Sequence, residues 1–248
     1  MTVERTFRIW RGDAKGGELR EYRTEVAPGM VVLDAVHRIQ AESANDLACR
    51  WNCKAGKCGS CSAEINGRPR LMCMTRLADL PDDRPVQIEP MRAFPSIRDL
   101  VVDVSSNYAA KRKIKPFTPR PPDADDGTWR MAQADVDRVQ EFRKCIECFL
   151  CQDVCHVLRD HGLHQKFIGP RVLVHVAALE MHPLDAADRV PELRAEHGIG
   201  FCNITKCCTT VCPEGITITD NAIIPLKERV VDRFYDPIRS FMRLIGID

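Results

Sequence analysis

Residues 145–155 of this 248-residue chain read Cys-Ile-Glu-Cys-Phe-Leu-Cys-Gln-Asp-Val-Cys, so four cysteines are separated by two, two and three residues. A related run begins at Cys202 and continues through Cys208 to Cys212, which Pro213 follows. The chain has 13 cysteines in all, and most of them fall into such spaced groups. Regular spacing of this kind indicates ligands of a metal site, because isolated core thiols have no reason to keep it.

The spacing within residues 145–155 is that of bacterial two-cluster ferredoxins, in which the fourth cysteine of each run binds the neighbouring cluster. The first three cysteines of one run therefore share a site with the last cysteine of the other. This rule assigns four ligands to a [4Fe–4S] cluster: Cys145, Cys148, Cys151 and Cys212.

The second site is left with three thiols, namely Cys155, Cys202 and Cys208, because Thr205 stands where the template places a cysteine. A cubane corner without a strong ligand loses its iron readily, which predicts a [3Fe–4S] cluster. Cys207 lies two residues beyond the vacant position, and we expect an inert thiol there. Completion of a [4Fe–4S] cluster by Cys207 is the alternative.

An earlier group supplies three thiols from one loop and a fourth from further along the chain: Cys53, Cys58, Cys61 and Cys73. This spacing is typical of the [2Fe–2S] site of plant-type ferredoxins. Gly56 and Gly59 permit the positive φ angles that turn backbone N–H groups towards sulfur. The competing interpretation is structural zinc, whose ligands usually come as two short pairs. Cys49 is left out of the site as a small buried residue.

Composition narrows the classes of function. A formal net charge of +1, with 29% charged residues, gives no electrostatic basis for binding nucleic acid. The sequence contains no run of 18 or more apolar residues, so it predicts no membrane-spanning helix. The N-terminus has no apolar segment typical of a secretory signal, and the odd number of cysteines argues against a disulfide framework. These features predict thiols kept reduced in the cytosol.

Residues 1–103 are predicted to form an α+β domain of the plant-type ferredoxin (β-grasp) kind. Residues 7–10 and 22–26 alternate apolar and polar side chains as half-buried strands do, and residues 86–89 form another short strand. Asn66-Gly67 is a strong hairpin signal, whereas residues 32–39 have helical periodicity.

Residues 104–129 are predicted to be a linker that crosses the surface, because prolines and runs of like charge resist packing. Residues 130–248 are predicted to form an all-helical domain of the bacterial two-cluster ferredoxin kind. Within it, apolar periodicity predicts helices near residue 136 and residue 172, and over residues 184–196 and 222–234.

The order of the three cysteine groups and the threonine at the vacant corner resemble the iron–sulfur subunits of succinate dehydrogenase and fumarate reductase. Three other segments resemble the same family: residues 98–103, residues 114–116 and residues 166–170. The resemblance covers nearly the whole chain. It implies a peripheral subunit on the cytoplasmic face of the cell membrane, within a complex that also contains a flavoprotein subunit and a membrane anchor.

The resemblance further implies that electrons pass from FAD on the flavoprotein through [2Fe–2S], [4Fe–4S] and [3Fe–4S] clusters to a quinone. This chain would then perform no substrate chemistry and contain no catalytic residue. No G-x-G-x-x-G fingerprint follows a predicted strand, which agrees with flavin being held by a partner. The N-terminal domain would face the flavoprotein, and the helical domain would face the anchor.

The quinone end departs from the family pattern. The segment after Cys155 has neither the proline nor the tryptophan typical of members that use ubiquinone, which favours a low-potential quinone. We place three residues near the quinone: His156, Asn203 and Thr205. His156 has the pKa range suited to hydrogen bonding or proton relay at a quinone, but a purely structural role is equally open.

Three other functions remain open from the sequence. The first is a freely diffusing electron carrier with several clusters. The second is the iron–sulfur subunit of another flavin-linked oxidoreductase, although such subunits more often keep four cysteines in each run. The third is a zinc scaffold, which would be colourless.

Overall fold

The computed structural model describes residues 2–237, and its N-terminal part is a sheet with one long helix packed on it. The strands are β1 (Val3–Asp13), β2 (Gly16–Val26), β3 (Ser62–Ile65), β4 (Arg68–Leu71), β5 (Val86–Glu89), β6 (Ser96–Arg98) and β7 (Val101–Val102). The helix is α1 (Val32–Glu42). The α+β class predicted for this part is confirmed.

The sheet has the order β4-β3-β5-β1-β6-β7, with β2 paired to β1. β1 runs antiparallel to β2 and parallel to β5, where Phe7 lies opposite Val86. The hairpin predicted at Asn66-Gly67 joins β3 to β4, and the strand predicted at residues 86–89 is β5. The left-handed conformations of Asn66 and Gly67 provide the tight turn.

The core of this part lies between the sheet and α1. Phe7 and Ile9 on β1 are fully buried, as the alternation along the strand requires. From α1, Leu33, Val36 and Ile39 occupy the facing stripe. Because residues three and four apart share one helix face, this stripe buries its apolar area against the sheet.

The predicted linker begins with a helix that its composition did not indicate. Helix α2 (Ser105–Arg112) buries Asn107, whose side-chain oxygen accepts a hydrogen bond from Gln152 at 2.8 Å. Ile114 is also buried, whereas most of residues 115–129 are exposed. Lys111 and Arg112 lie in the last turn of α2, where positive charge is favourable. The domain boundaries at residues 103 and 130 remain predictions.

Beyond residue 130 the named elements of the described chain are helices: α3 (Gln133–Gln140), α4 (Leu150–Asp153), α5 (His156–Arg159), α6 (Gly169–Glu180), α7 (Val190–Ala195), α8 (Cys207–Thr210) and α9 (Ile224–Phe234). A π-helical turn, Ile218–Ile223, leads directly into α9. The central helix α6 buries Val172, Leu173 and Val176. Helices α2, α3 and α4 and the π-helical turn pack against α6, whereas α7 packs against α9.

The helix predicted over residues 184–196 forms only in its second half, as α7. The preceding segment instead wraps around Arg189, which is fully buried. The guanidinium donates to the carbonyls of Lys115 and Pro116 and to the carboxylate of Asp185, at 2.8–2.9 Å. A buried arginine needs these acceptors, and meeting them holds the backbone in a non-helical path.

The described residues contain no helix with the length and apolar character required to cross a membrane. Residues 238–248, the end of the predicted helical domain, lie outside the described part of the chain.

Candidate metal centres

The first cysteine loop is shaped by backbone donors directed at sulfur. The N–H groups of Ala55 and Lys57 both lie 3.3 Å from the Sγ of Cys53, and the N–H of Cys73 lies 3.4 Å from the Sγ of Cys61. Gly56 and Gly59 both have φ of +68°, as predicted. Donors arranged in this way stabilise thiolates, which are the form that binds iron.

The thiols of the first loop differ in their surroundings. Cys61 and Cys73 are buried, whereas Cys53 is exposed. Burial, together with the nearby Cys73, raises the pKa of Cys61 to about 12. Burial also opposes ionisation of Cys58, but hydrogen bonds from Cys53 and Ser60 outweigh it and lower the pKa of Cys58 to about 6. One edge of this site therefore reaches solvent, and the other is anchored in the core.

The second group lines a cavity that is partly open to solvent and has an empty volume of about 370 Å³, with the solvent-facing space included. Its wall contains the four thiols predicted to share one cluster: Cys145, Cys148, Cys151 and Cys212. Val174, Ile216 and Ile218 supply apolar wall, and Arg171 lies among them. The structure thus brings together thiols from both runs, as the crossover rule predicts, and this donor set fits a four-thiolate cluster.

Burial dominates the chemistry of the second group. It raises the pKa of Cys148 to about 12 and that of Cys151 well above its usual range, with the neighbouring thiols adding to both shifts. Thiolates in such a place require a positively charged partner, and the iron of a cluster provides one. No three His, Cys, Asp or Glu side chains of residues 2–237 converge closely enough to hold a single metal ion. The thiols of the second group instead line the cavity, as the ligands of a multi-iron cluster would.

The two cysteine runs share one backbone conformation, displaced by 57 residues. Glu147 and Phe149 have φ of +56° and +62°, and their counterparts Ile204 and Lys206 have +62° and +61°. A short helix follows at the same position in both runs, α4 in the first and α8 in the second. Left-handed conformations at non-glycine residues are uncommon, so their repetition marks a specific loop shape. On this shared shape Thr205 occupies the position of Cys148.

The third group differs from the second in its exposure. Cys155 and Cys208 are buried, but residues 203–206 are exposed and include the predicted quinone residues Asn203 and Thr205. Phe201 and Ile204, large apolar side chains, are also exposed. The Nζ of Lys227 donates to the carbonyl of Cys202 at 2.5 Å. The third loop therefore presents large apolar side chains at the surface.

Cys207 lies beside the third group and takes part in its hydrogen bonds. The Thr205 hydroxyl donates to its Sγ at 3.2 Å. Hydrogen bonds from Cys208, Thr205 and His156 lower the pKa of Cys207 against the effect of burial. The half-buried His156 is thereby placed beside the third group. In the first run the residue that corresponds to Cys207 is Leu150, which lies outside the wall of the second cavity.

The first and second loops touch directly. A Cβ atom added at Gly59 would lie 2.6 Å from the Cα of Cys148. The buried hydroxyl of Ser62 lies 2.9 Å from the carbonyl oxygens of both Gly59 and Cys148. An ion pair between Glu64 and Arg159, at 3.0 Å, joins the sheet to α5. The sheet part and the helical part therefore meet at their cysteine loops.

Sequence patterns did not predict that four further residues contact the cysteine loops: Ser62, Glu147, Arg171 and Lys227. Each acts across a long sequence separation, which spacing rules do not describe. The one available signal was Arg171, a charge inside the apolar stripe of α6.

Comparison with known families agrees with the two-part organisation. The family described as "2Fe-2S iron-sulfur cluster binding domain" matches residues 6–109. The family described as "4Fe-4S dicluster domain" matches residues 141–216.

Comparison with individual proteins extends the likeness to most of the chain. The fumarate reductase iron–sulfur subunit of Mycobacterium tuberculosis is 38% identical over 200 residues, 79% of either chain. The succinate dehydrogenase iron–sulfur subunit of Bacillus subtilis is 30% identical over 80% of this chain and 81% of its own. A chain of the Mycobacterium smegmatis Sdh1 complex in its apo form superimposes with a TM-score of 0.92 and 62% identity, covering 96% of this chain and all of that one.

Proposed function

The chain belongs to the family of succinate dehydrogenase and fumarate reductase iron–sulfur subunits, and from this premise we propose that it conducts electrons between FAD on a flavoprotein subunit and a quinone at a membrane anchor. The observation that carries the proposal is the cavity that gathers Cys145, Cys148, Cys151 and Cys212 from two separate runs. The interconversion of succinate and fumarate takes place on the flavoprotein partner.

Three clusters, when bound, supply one-electron chemistry. We assign [2Fe–2S] to the four cysteines of the first group, [4Fe–4S] to those that line the cavity, and [3Fe–4S] to the three thiols of the third group. The repeated loop shape supports the last assignment, because Thr205 stands where the second group has Cys148. The protein's own contribution is to hold the sulfurs, exclude water and keep neighbouring loops in contact.

The partners are assigned to opposite ends of the chain. The first loop carries Trp51 and Met74 as exposed apolar side chains, which support a protein interface for the flavoprotein. The third loop exposes Phe201 and Ile204, which support contact with the membrane anchor. The chain would then lie peripherally on the cytoplasmic face of the membrane.

We place the quinone near His156, Asn203 and Thr205. Asn203 and Thr205 are exposed on the third loop, and His156 contacts the same group through Cys207. This location puts the acceptor beside a loop whose residues 203–206 are exposed.

We also assign the finer fold types. The mixed sheet with parallel β1 and β5 and one packed helix supports a β-grasp ferredoxin in the N-terminal part. The repeated cysteine loops between short helices support a bacterial two-cluster ferredoxin core in the C-terminal part.

Purification of the complex from its native cell tests the proposal. We expect a brown assembly that contains an FAD flavoprotein, with nine irons and ten sulfides per copy of this chain, the total of the three clusters. The oxidised complex should give the electron paramagnetic resonance signal of a [3Fe–4S] cluster. A monomer without flavoprotein would favour the diffusing carrier, and a colourless zinc protein would exclude electron transfer. Ten irons without that signal would show that Cys207 or Thr205 completes the third cluster.

A further inference from the structure

Arg171 is a buried cation in the wall of the second cavity. It lies in the first turn of α6, and its side chain is only 8% exposed. The same wall contains the four thiols of the second group. Long charged side chains are almost never buried to this degree without a partner, so the contacts of the guanidinium decide what Arg171 does.

Only part of the guanidinium is satisfied by the protein. One Nη contacts the carboxylate of Glu147, which also accepts a hydrogen bond from Lys111 at 2.6 Å. The Nε–H of Arg171 is buried and has no hydrogen-bond partner within residues 2–237. Glu147 is thus shared between two cations, and a buried donor remains unpaired beside the cavity. An unpaired buried donor is costly unless a ligand accepts its hydrogen bond.

A four-thiolate cluster supplies what the guanidinium lacks. Its sulfurs accept hydrogen bonds, its net charge is negative, and reduction adds one further negative charge.

We propose that Arg171 donates its Nε–H to a sulfur of the second cluster and that its charge raises the reduction potential of that cluster. The inference rests on the proposed function, which assigns a [4Fe–4S] cluster to this cavity. A nearby positive charge stabilises the reduced form, which is the more negative one, by more than it stabilises the oxidised form. Glu147 limits the effect because it partly neutralises the guanidinium.

The test is a redox titration of the intact complex followed by electron paramagnetic resonance, with Arg171→Gln, Glu147→Gln and Lys111→Met compared with the parent. Arg171→Gln should lower the midpoint potential of the [4Fe–4S] cluster, with about a tenfold change in its reduced-to-oxidised ratio at fixed potential, or ~59 mV. Glu147→Gln should shift the potential upwards, because it leaves the arginine less neutralised.

Lys111→Met serves as the matched control, since its ammonium contacts the same carboxylate but its side chain is 39% exposed, so solvent screens its charge. This variant should change the reduced-to-oxidised ratio of the [4Fe–4S] cluster at fixed potential less than twofold. A purely structural role for Arg171 would not produce shifts of opposite sign in the Arg171 and Glu147 variants. Equal potentials in all the complexes, or shifts of the same sign, would overturn the inference. If Arg171→Gln fails to assemble, the Glu147 variant alone decides the outcome.

Absence of any [4Fe–4S] signal from the parent complex would instead contradict the proposed function. The two failures are therefore distinguishable.

Discussion

The second and third cysteine loops have the same backbone shape but different surroundings. Both contain two left-handed residues followed by a short helix. The second loop is backed by α6, touches the first loop and has cysteine at position 148. The third loop is exposed over residues 203–206 and has threonine at position 205. The two loops thus share a backbone shape, whereas one side chain and the degree of burial distinguish them.

The largest expected effect comes from making the second loop like the third. Cys148→Thr removes one of four thiolates from a buried cavity, and the remaining three would hold at most a three-iron cluster. We expect the iron content to fall from nine to eight or fewer, with loss of the [4Fe–4S] signal. Chemical iron analysis and electron paramagnetic resonance measure both. Thr205→Ser is the control and should leave nine irons. Retention of nine irons by Cys148→Thr would contradict the ligand assignment.

The first and second loops meet at Gly59, and Gly59→Ala tests the importance of that contact. A Cβ there would collide with the Cα of Cys148 while the residue keeps φ of +68°. We expect a loss of about 2–5 kcal/mol from the free energy of unfolding, from overpacking and the left-handed conformation together. Thermal unfolding of the complex reports the loss.

Gly67→Ala separates the two causes in that experiment. Gly67 has φ of +74°, but nothing lies within 4 Å of an added Cβ. It should cost only about 1–2 kcal/mol. Equal losses in the two variants would mean that the contact with Cys148 relaxes without cost.

The reverse exchange makes the third loop like the second. Thr205→Cys supplies a thiol at the position equivalent to Cys148, so we expect ten irons instead of nine and loss of the [3Fe–4S] signal. The potential of this centre should fall and quinone reduction should slow. Stability should change little, because residue 205 is exposed. An unchanged spectrum would place the vacant corner elsewhere.

The smallest effect concerns His175, on helix α6, which lines the cavity of the second group. Burial, and then the charges of Arg171 and Lys111, lower the pKa of His175 to about 4, from 6.5. Between these values the unfolded chain binds a proton that the folded chain does not. Stability therefore falls as the pH drops from 6.5 to 4. In His175→Gln the acid side of the stability curve should be less steep within this window and unchanged above pH 7. If the stability curves of the variant and the parent against pH were parallel, the acid sensitivity would come from other groups.

Local sequence signals predicted the features that are set locally. Asn66-Gly67 determines the hairpin because both residues accept left-handed conformations, and the periodicity of residues 32–39 specifies the buried face of α1. The cysteine template also anticipated that Cys212 joins the thiols of the other run, since the crossover follows from the spacing.

Features that depend on distant partners could not be predicted. The segment before α7 looks periodic, but Arg189 needs the carbonyls of Lys115 and Pro116 more than seventy positions away. Helix α2 lies in a run of polar and charged residues, and its one buried side chain, Asn107, is held by Gln152. In the same way, nothing in the spacing of residues 145–155 indicates that Glu147 meets Arg171.

The shared hydroxyl of Ser62 and the missing side chain at Gly59 have a consequence for recombination between related chains. A hybrid that joined one parent's N-terminal half to another's C-terminal half would combine two loops that had never been matched to each other. Any bulk introduced at position 59, or any shift of the carbonyl at position 148, would separate the two redox centres. Electron tunnelling weakens steeply with distance, so such a hybrid could assemble fully, bind all its iron and still conduct poorly.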